Sequence, residues 1–174
     1  MNSLYFEKLS RFDRAAEPVT LSIPFAQGTL ADAAHLAIRD GGTALAVQSR
    51  ALAQWPDGSV KWLLAHIQPD LPGNRDKTLS FAVDPAASAP PATPRVVVSE
   101  GEEGLRVDTG RLSFQIPRDG FWPVLDVMLD GEPLWHTPFT CFHMTTEDAT
   151  VATTGPVTLE VEEAGPLVAV VLVS

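Results

Sequence analysis

The chain has 174 residues, 45% of them apolar, and carries 22 acidic against 12 basic side chains for a formal charge of −10. That length can bury a core without disulfides, and the single cysteine, Cys141, excludes an internal one. The scattered Lys and Arg exclude a phosphate-binding nucleic-acid surface, and no apolar run approaches the roughly 20 residues that span a bilayer as a helix.

The N-terminal "MNSLYFEKLSRFDR" has no apolar stretch followed by a small-residue cleavage site. It reads as an extension over residues 1–17 rather than a secretory signal, and it leaves the compartment open. Apolar alternation with period two then begins and recurs along the chain, while long helical periodicity is nearly absent. "PVTLSIP" places Val19, Leu21 and Ile23 on one strand face. "DAAH" around Ala33 has room for a single helical turn, because four residues do not make a helix. "HLAIRD" and "TALAVQ", joined by Asp-Gly-Gly, read as a hairpin with Leu36, Ile38, Leu45 and Val47 inward.

The stretch "WPDGS" has the residues of a tight turn. Pro56 presets φ, Asp57 suits the third position and Gly58 tolerates a left-handed backbone. The strand "VKWLLAHI" follows, with Val60, Trp62, Leu64 and His66 on one face and Lys61, Leu63, Ala65 and Ile67 on the other. Both faces are mostly apolar, which suits a strand covered on two sides in a small closed barrel. "KTLSFAV" completes a barrel of about six strands over residues 18–83. "DPAASAPPATPR" over 84–95 has the Pro/Ala content of an extended linker.

Strands resume over 96–174 with "RVVVS", "GLRVDTG", "RLSFQIP", "PVLDVMLDGEPLW", "VTLEVEE" and "GPLVAVVLVS". Asp130-Gly131 marks a hairpin turn inside the fourth. This part reads as an antiparallel β-sandwich, incomplete at its C-terminal side because the last run is still strand-like at Ser174. The fold class is all-β.

The order of "PVTLSIPFAQGTL", "VQSRALAQWPDGSVKWLLAHI", the Pro/Ala linker and "VDTGRLSFQIPRDGFWPVLDVMLDGEPLW" resembles the N-terminal part of exo-acting rhamnogalacturonan lyases and their bacterial relatives. The resemblance implies a RIFT-type barrel, then a β-sandwich, then a catalytic α/α-toroid domain further along the polypeptide. Elimination across a uronate C4–C5 bond needs a base for the C5 proton and a group that neutralises the carboxylate. No residue of 1–174 carries over to either role, so the catalytic set here is none. The implied activity is the scaffolding of a downstream domain of the same polypeptide, against which these domains would pack. Two other classes fit the residues: a stand-alone carbohydrate-binding module, and a structural module that pairs through its last strand.

The candidate sites are few. Tryptophan faces stack on pyranose C–H groups, and Trp55 and Trp122 border turns, which makes them the carbohydrate-stacking candidates. Trp62 sits on an apolar strand face and reads as core. Lys61 with Asp57 has the composition of a catalytic lysine and its carboxylate, but its position after a turn reads as a solvent-facing charge. His136, Cys141 and His143, with Glu147 and Asp148 after them, match no zinc spacing, and His35 and His66 read as isolated strand residues. The acidic groups Glu100, Glu102 and Glu103, and Glu160, Glu162 and Glu163, read as solvated turns without calcium-loop spacing. No metal or cofactor site is expected, and the expected ligand is a carbohydrate of plant cell-wall type.

Overall fold

The computed structural model describes residues 2–86, 89–93, 95–118, 124–134, 144–145, 150–151 and 156–174. They divide into two compact units, Met1–Ala92 and Thr93–Ser174. Among the described residues all regular structure is strand apart from one 3₁₀ turn.

The first unit has seven strands: β1 (Asn2–Phe6), β2 (Val19–Pro24), β3 (Leu36–Asp40), β4 (Thr43–Ala44), β5 (Gln48–Gln54), β6 (Val60–Ile67) and β7 (Lys77–Val83). They do not close into one hydrogen-bonded cylinder. Pairing makes a four-stranded sheet in the order β1-β7-β3-β4 and a three-stranded sheet in the order β2-β6-β5. The inward residues of both sheets share one core, which includes Ile23, Leu36, Ile38, Leu63, Ile67 and Leu79. These are the alternate positions that the period-two pattern marks as inward.

The N-terminal residues are not a loose extension. β1 pairs in register with β7 from Asn2 opposite Phe81 to Phe6 opposite Lys77, and Leu4 and Phe6 pack on the core. The next segment is tied to the loop before β7. Arg14 and Leu71 exchange backbone hydrogen bonds, the Gly73 N–H donates to Asp13, and the Ala16 N–H donates to Asp70. The expected strand "TALAVQ" is only two residues long as β4, because pairing with β3 ends at Arg39 opposite Ala44. The helical turn at Ala33–His35 is present, capped by Asp32, whose carboxylate accepts from the Ala34 N–H. His35 therefore sits on this turn rather than on a strand. Asp84, at the start of the Pro/Ala stretch, still donates its N–H to His35 O.

The second unit contains a five-stranded antiparallel sheet. Its strands are β8 (Val97–Gly101), β9 (Gly104–Asp108), β10 (Leu112–Pro117), β11 (Leu125–Leu129) and β12 (Glu132–Pro133), in sequential order across the sheet. Two short pairs follow, β13 (Met144–Thr145) with β14 (Thr150–Val151) and β15 (Leu159–Ala164) with β16 (Ala169–Val173). Leu159 and Val171 of the last hairpin pack on the core formed by Leu105, Val107 and Ile116. Asp130 and Gly131 both have positive φ, at 52° and 86°, and join β11 to β12. Two left-handed residues match the twist of the flanking strands, which is why Asp-Gly serves there.

Candidate functional site

The tight turn between β5 and β6 is built as its residues dictate. The Gly58 N–H donates to Trp55 O at 2.9 Å, the Trp55 N–H donates to Ser59 O at 2.8 Å, and Gly58 has φ of 83°. Asp57 turns its carboxylate back to Ser59, accepting from the Ser59 N–H at 3.0 Å and its hydroxyl at 2.6 Å. These bonds hold the Asp57 carboxyl below its ordinary pKa, the Ser59 hydroxyl contributing most. Ser59 Oγ in turn accepts from the Gly28 N–H at 2.9 Å, tying the turn to the loop after β2.

Lys61 does not join Asp57. Its ammonium lies over the Trp55 ring, 4.5 Å from the centroid, which is cation–π geometry. The Trp55 indole N–H donates to Phe25 O at 3.0 Å. Trp55 is thus half-buried, with a cation on a ring face and its polar edge bonded, so it closes one end of the β2-β6-β5 sheet. The geometry assembles no catalytic lysine–carboxylate pair, and the Trp55 ring already carries the Lys61 ammonium over a face.

Trp62 is the correction. Read as core, it is 42% exposed, and Leu52 beside it is 46% exposed. Alternation along β6 puts Leu63, Ala65 and Ile67 inward and Trp62 on the opposite face with Leu64 and His66, and that face is left uncovered at the Trp62 end. An irregularity in the β5–β6 ladder, where Ala53 pairs with Trp62 and Gln54 with Val60, leaves Lys61 without a register partner and breaks the alternation there, so Val60 is buried as well. His66, further along β6, is buried, and its Nδ1 is 3.0 Å from the Thr20 hydroxyl.

A groove of about 590 Å³ opens between the edges of β1 and β2. Asn2 and Ser3 line one wall, Ser22 and Pro24 the other, and Phe81 also borders it. Pro24 is also the register partner of Trp62, so the groove and the exposed indole adjoin.

The remaining expected positions separate cleanly. Glu100 is ion-paired with Arg118, while Glu102, Glu103, Glu160 and Glu162 are exposed. Among the described residues no three His, Cys, Asp or Glu side chains could together hold a metal ion. Trp122, Trp135, His136, Cys141, His143, Glu147 and Asp148 lie outside the described residues.

Two sheets around one core, one of them holding a Trp-Pro-Asp-Gly hairpin turn, identify the first unit when set against known families. Residues 7–79 match the PcRGLX-like N-terminal RIFT barrel domain. This region is the RIFT barrel of rhamnogalacturonan lyase-like proteins. The turn, the Trp55–Lys61 contact and Trp62 all lie within the RIFT barrel, and β1 precedes the matched span. The chain is also 29% identical over 127 residues to the uncharacterized protein YetA of Bacillus subtilis (strain 168). That alignment covers 72% of this chain and 14% of YetA.

Proposed function

We propose that the chain is the non-catalytic N-terminal β region of a rhamnogalacturonan lyase-like polysaccharide-degrading protein. In this reading the RIFT barrel and the following sheet unit support a catalytic domain elsewhere in a longer polypeptide and pack against it. The observation that carries the reading is the family match over residues 7–79, in a fold of the kind the family name describes. Two further facts support it. The candidate lysine–carboxylate pair is not assembled, since Asp57 is bonded to Ser59 and Lys61 lies on Trp55. The chain also spans only 14% of the length of YetA.

The test compares the purified chain with the longest natural polypeptide that contains it, each incubated with rhamnogalacturonan. The expected result is unsaturated uronate ends from the longer protein and none from the chain alone. Product formed by the chain would overturn the non-catalytic assignment. A longer protein inert on every pectic substrate would overturn the lyase assignment.

A further inference from the structure

We propose that Trp62 and the β1–β2 groove form one binding site for an extended oligosaccharide, with a pyranose face stacked on the indole and the next residues of the sugar chain in the groove. The inference goes beyond the scaffold reading, which needs no ligand on these residues.

At 42% exposure Trp62 presents roughly 100 Å² of a side chain of about 250 Å². Leu52 and Pro24 extend this apolar surface only a little, so the patch falls well short of the about 800 Å² per partner in a stable protein interface. It suits a ligand the size of a single ring. The outer face of a sheet is also flat, which a stacked ring requires.

The groove supplies the complementary half. Its volume of about 590 Å³ is in the range of small-molecule sites. Its lining mixes the amide of Asn2 and the hydroxyls of Ser3 and Ser22 with the apolar surfaces of Phe81 and Pro24. Sugars present that same mixture, with C–H faces for apolar walls and hydroxyls for amide and hydroxyl partners.

The rival occupant is a peptide strand added between the edges of β1 and β2, since sheet edges pair with extended chains. Pro24 counts against it. It has no N–H, so it removes a donor from the β2 edge at the point where the groove meets Trp62. Charge is permissive for either neutral or acidic sugars: residues 1–92 hold eight basic and nine acidic side chains, close to balance.

The experiment is an NMR titration of the 174-residue chain with rhamnogalacturonan, galacturonan, xylan and cellulose oligosaccharides, plus a Val/Thr-rich extended peptide as the competing probe. The expected result is a saturable shift of the Trp62 indole N–H together with the amides of Asn2, Ser3 and Ser22. Trp62→Ala should weaken binding about tenfold or more. Ser22→Trp, which plugs the groove on an edge strand, should do the same with the dispersed spectrum intact. The proposal is overturned if no oligosaccharide shifts these signals, if binding survives both substitutions, or if only the peptide binds. Binding of xylan or cellulose fragments alone would uphold this site while counting against the pectic reading. A flat titration would leave the scaffold reading to its own activity test.

Discussion

The two units of this chain reach the all-β state from opposite balances of burial and charge. In the first unit, ten buried residues, eight from the two sheets and two from the loop after β2, form one core, and eight basic side chains face nine acidic ones. In the second unit the described core centres on three buried residues, and four basic side chains face thirteen acidic ones. Nearly all of the −10 charge therefore belongs to residues 93–174. Self-repulsion opposes compaction there, and less apolar burial among the described residues offsets it. The barrel is expected to be the independently stable part and the second unit the more easily opened one.

The largest expected effect tests the barrel core. Leu63 is fully buried on β6 and packs between the sheets. Leu63→Ala should cost about 2–5 kcal/mol through lost transfer energy and the cavity left behind. Urea unfolding followed by amide signals should show the barrel transition moving to lower denaturant while signals from β9 and β10 stay in place. A joint shift of both sets would mean that the units unfold as one, and the comparison would fail.

A smaller effect is expected from Gly104→Ala in the second unit. Gly104 begins β9 with φ of 147°, and an added Cβ would fall 2.0 Å from Ile116 O. Backbone cannot yield as a side-chain tip can, so β9 and β10 must separate locally at a cost of about 1–3 kcal/mol. With a thin core behind it, the second unit should melt early in this variant, and calorimetry should then resolve two transitions. A single unchanged transition would show that this unit holds more reserve than its burial implies.

Matched turn substitutions sharpen the contrast further. Gly58 in the barrel and Gly131 in the second unit both have φ above 80°, and neither has an atom within 4 Å of an added Cβ. Alanine at either site should cost about 1 kcal/mol of backbone strain and nothing from contact. Equal losses on chemical denaturation of each unit are expected. Unequal losses would mean that one turn relaxes its backbone, and the difference would measure the rigidity of its surroundings.

How much of this was legible in the sequence follows from how local each signal is. Strands β2, β3, β6, β7, β8, β9, β10, β11, β15 and β16 were readable, because alternation and Gly/Pro/Asp turns act within a few residues. The turn at Trp55–Ser59 formed as its residues implied for the same reason. The exposure of the tryptophans was not readable. Trp62 shares the outer face of β6 with Leu64 and His66, as alternation places it, and Trp55 is held by Phe25 O and the Lys61 ammonium. Alternation separates the two faces of β6 but does not say which of them is left uncovered at the Trp62 end. Division of the barrel into two sheets was hidden as well, since closure needs β1 to pair with β2 and β4 with β5, and neighbours in sequence need not be hydrogen-bonded in space. The role of residues 2–6 was missed because five residues beside a charged segment look like a tail until β7 pairs with them.

That N-terminal strand gives the smallest expected effect and the finest test of how evenly stability is spread within the barrel. Tyr5 donates its hydroxyl to Asp76 at 2.6 Å, and the Lys8 N–H donates to the other carboxylate oxygen at 3.0 Å. The Tyr5 bond, and then the Lys8 bond, hold the Asp76 carboxyl below its ordinary value. The same bond to Asp76 pushes the Tyr5 phenol above its ordinary value. A depressed carboxyl pKa adds stability that is present above the usual carboxylate value of about 4 and is lost as pH falls through the lower folded value. A raised phenol pKa adds stability that is present below about 10 and is lost as pH rises through the higher folded value. β1 should therefore be held best between these limits and loosen first at acid pH. Both groups are solvent-exposed, so the effect should appear as local opening of β1 rather than as a shift of the global transition. Protection of the Ser3–Phe6 amides, taken relative to the intrinsic exchange rate at each pH, should fall in Asp76→Asn at neutral pH and in the unaltered protein below about pH 4, while β6 amides keep their protection. If β1 exchange does not respond, pairing with β7 alone holds the strand, and the groove wall formed by Asn2 and Ser3 is as fixed as the sheet behind it.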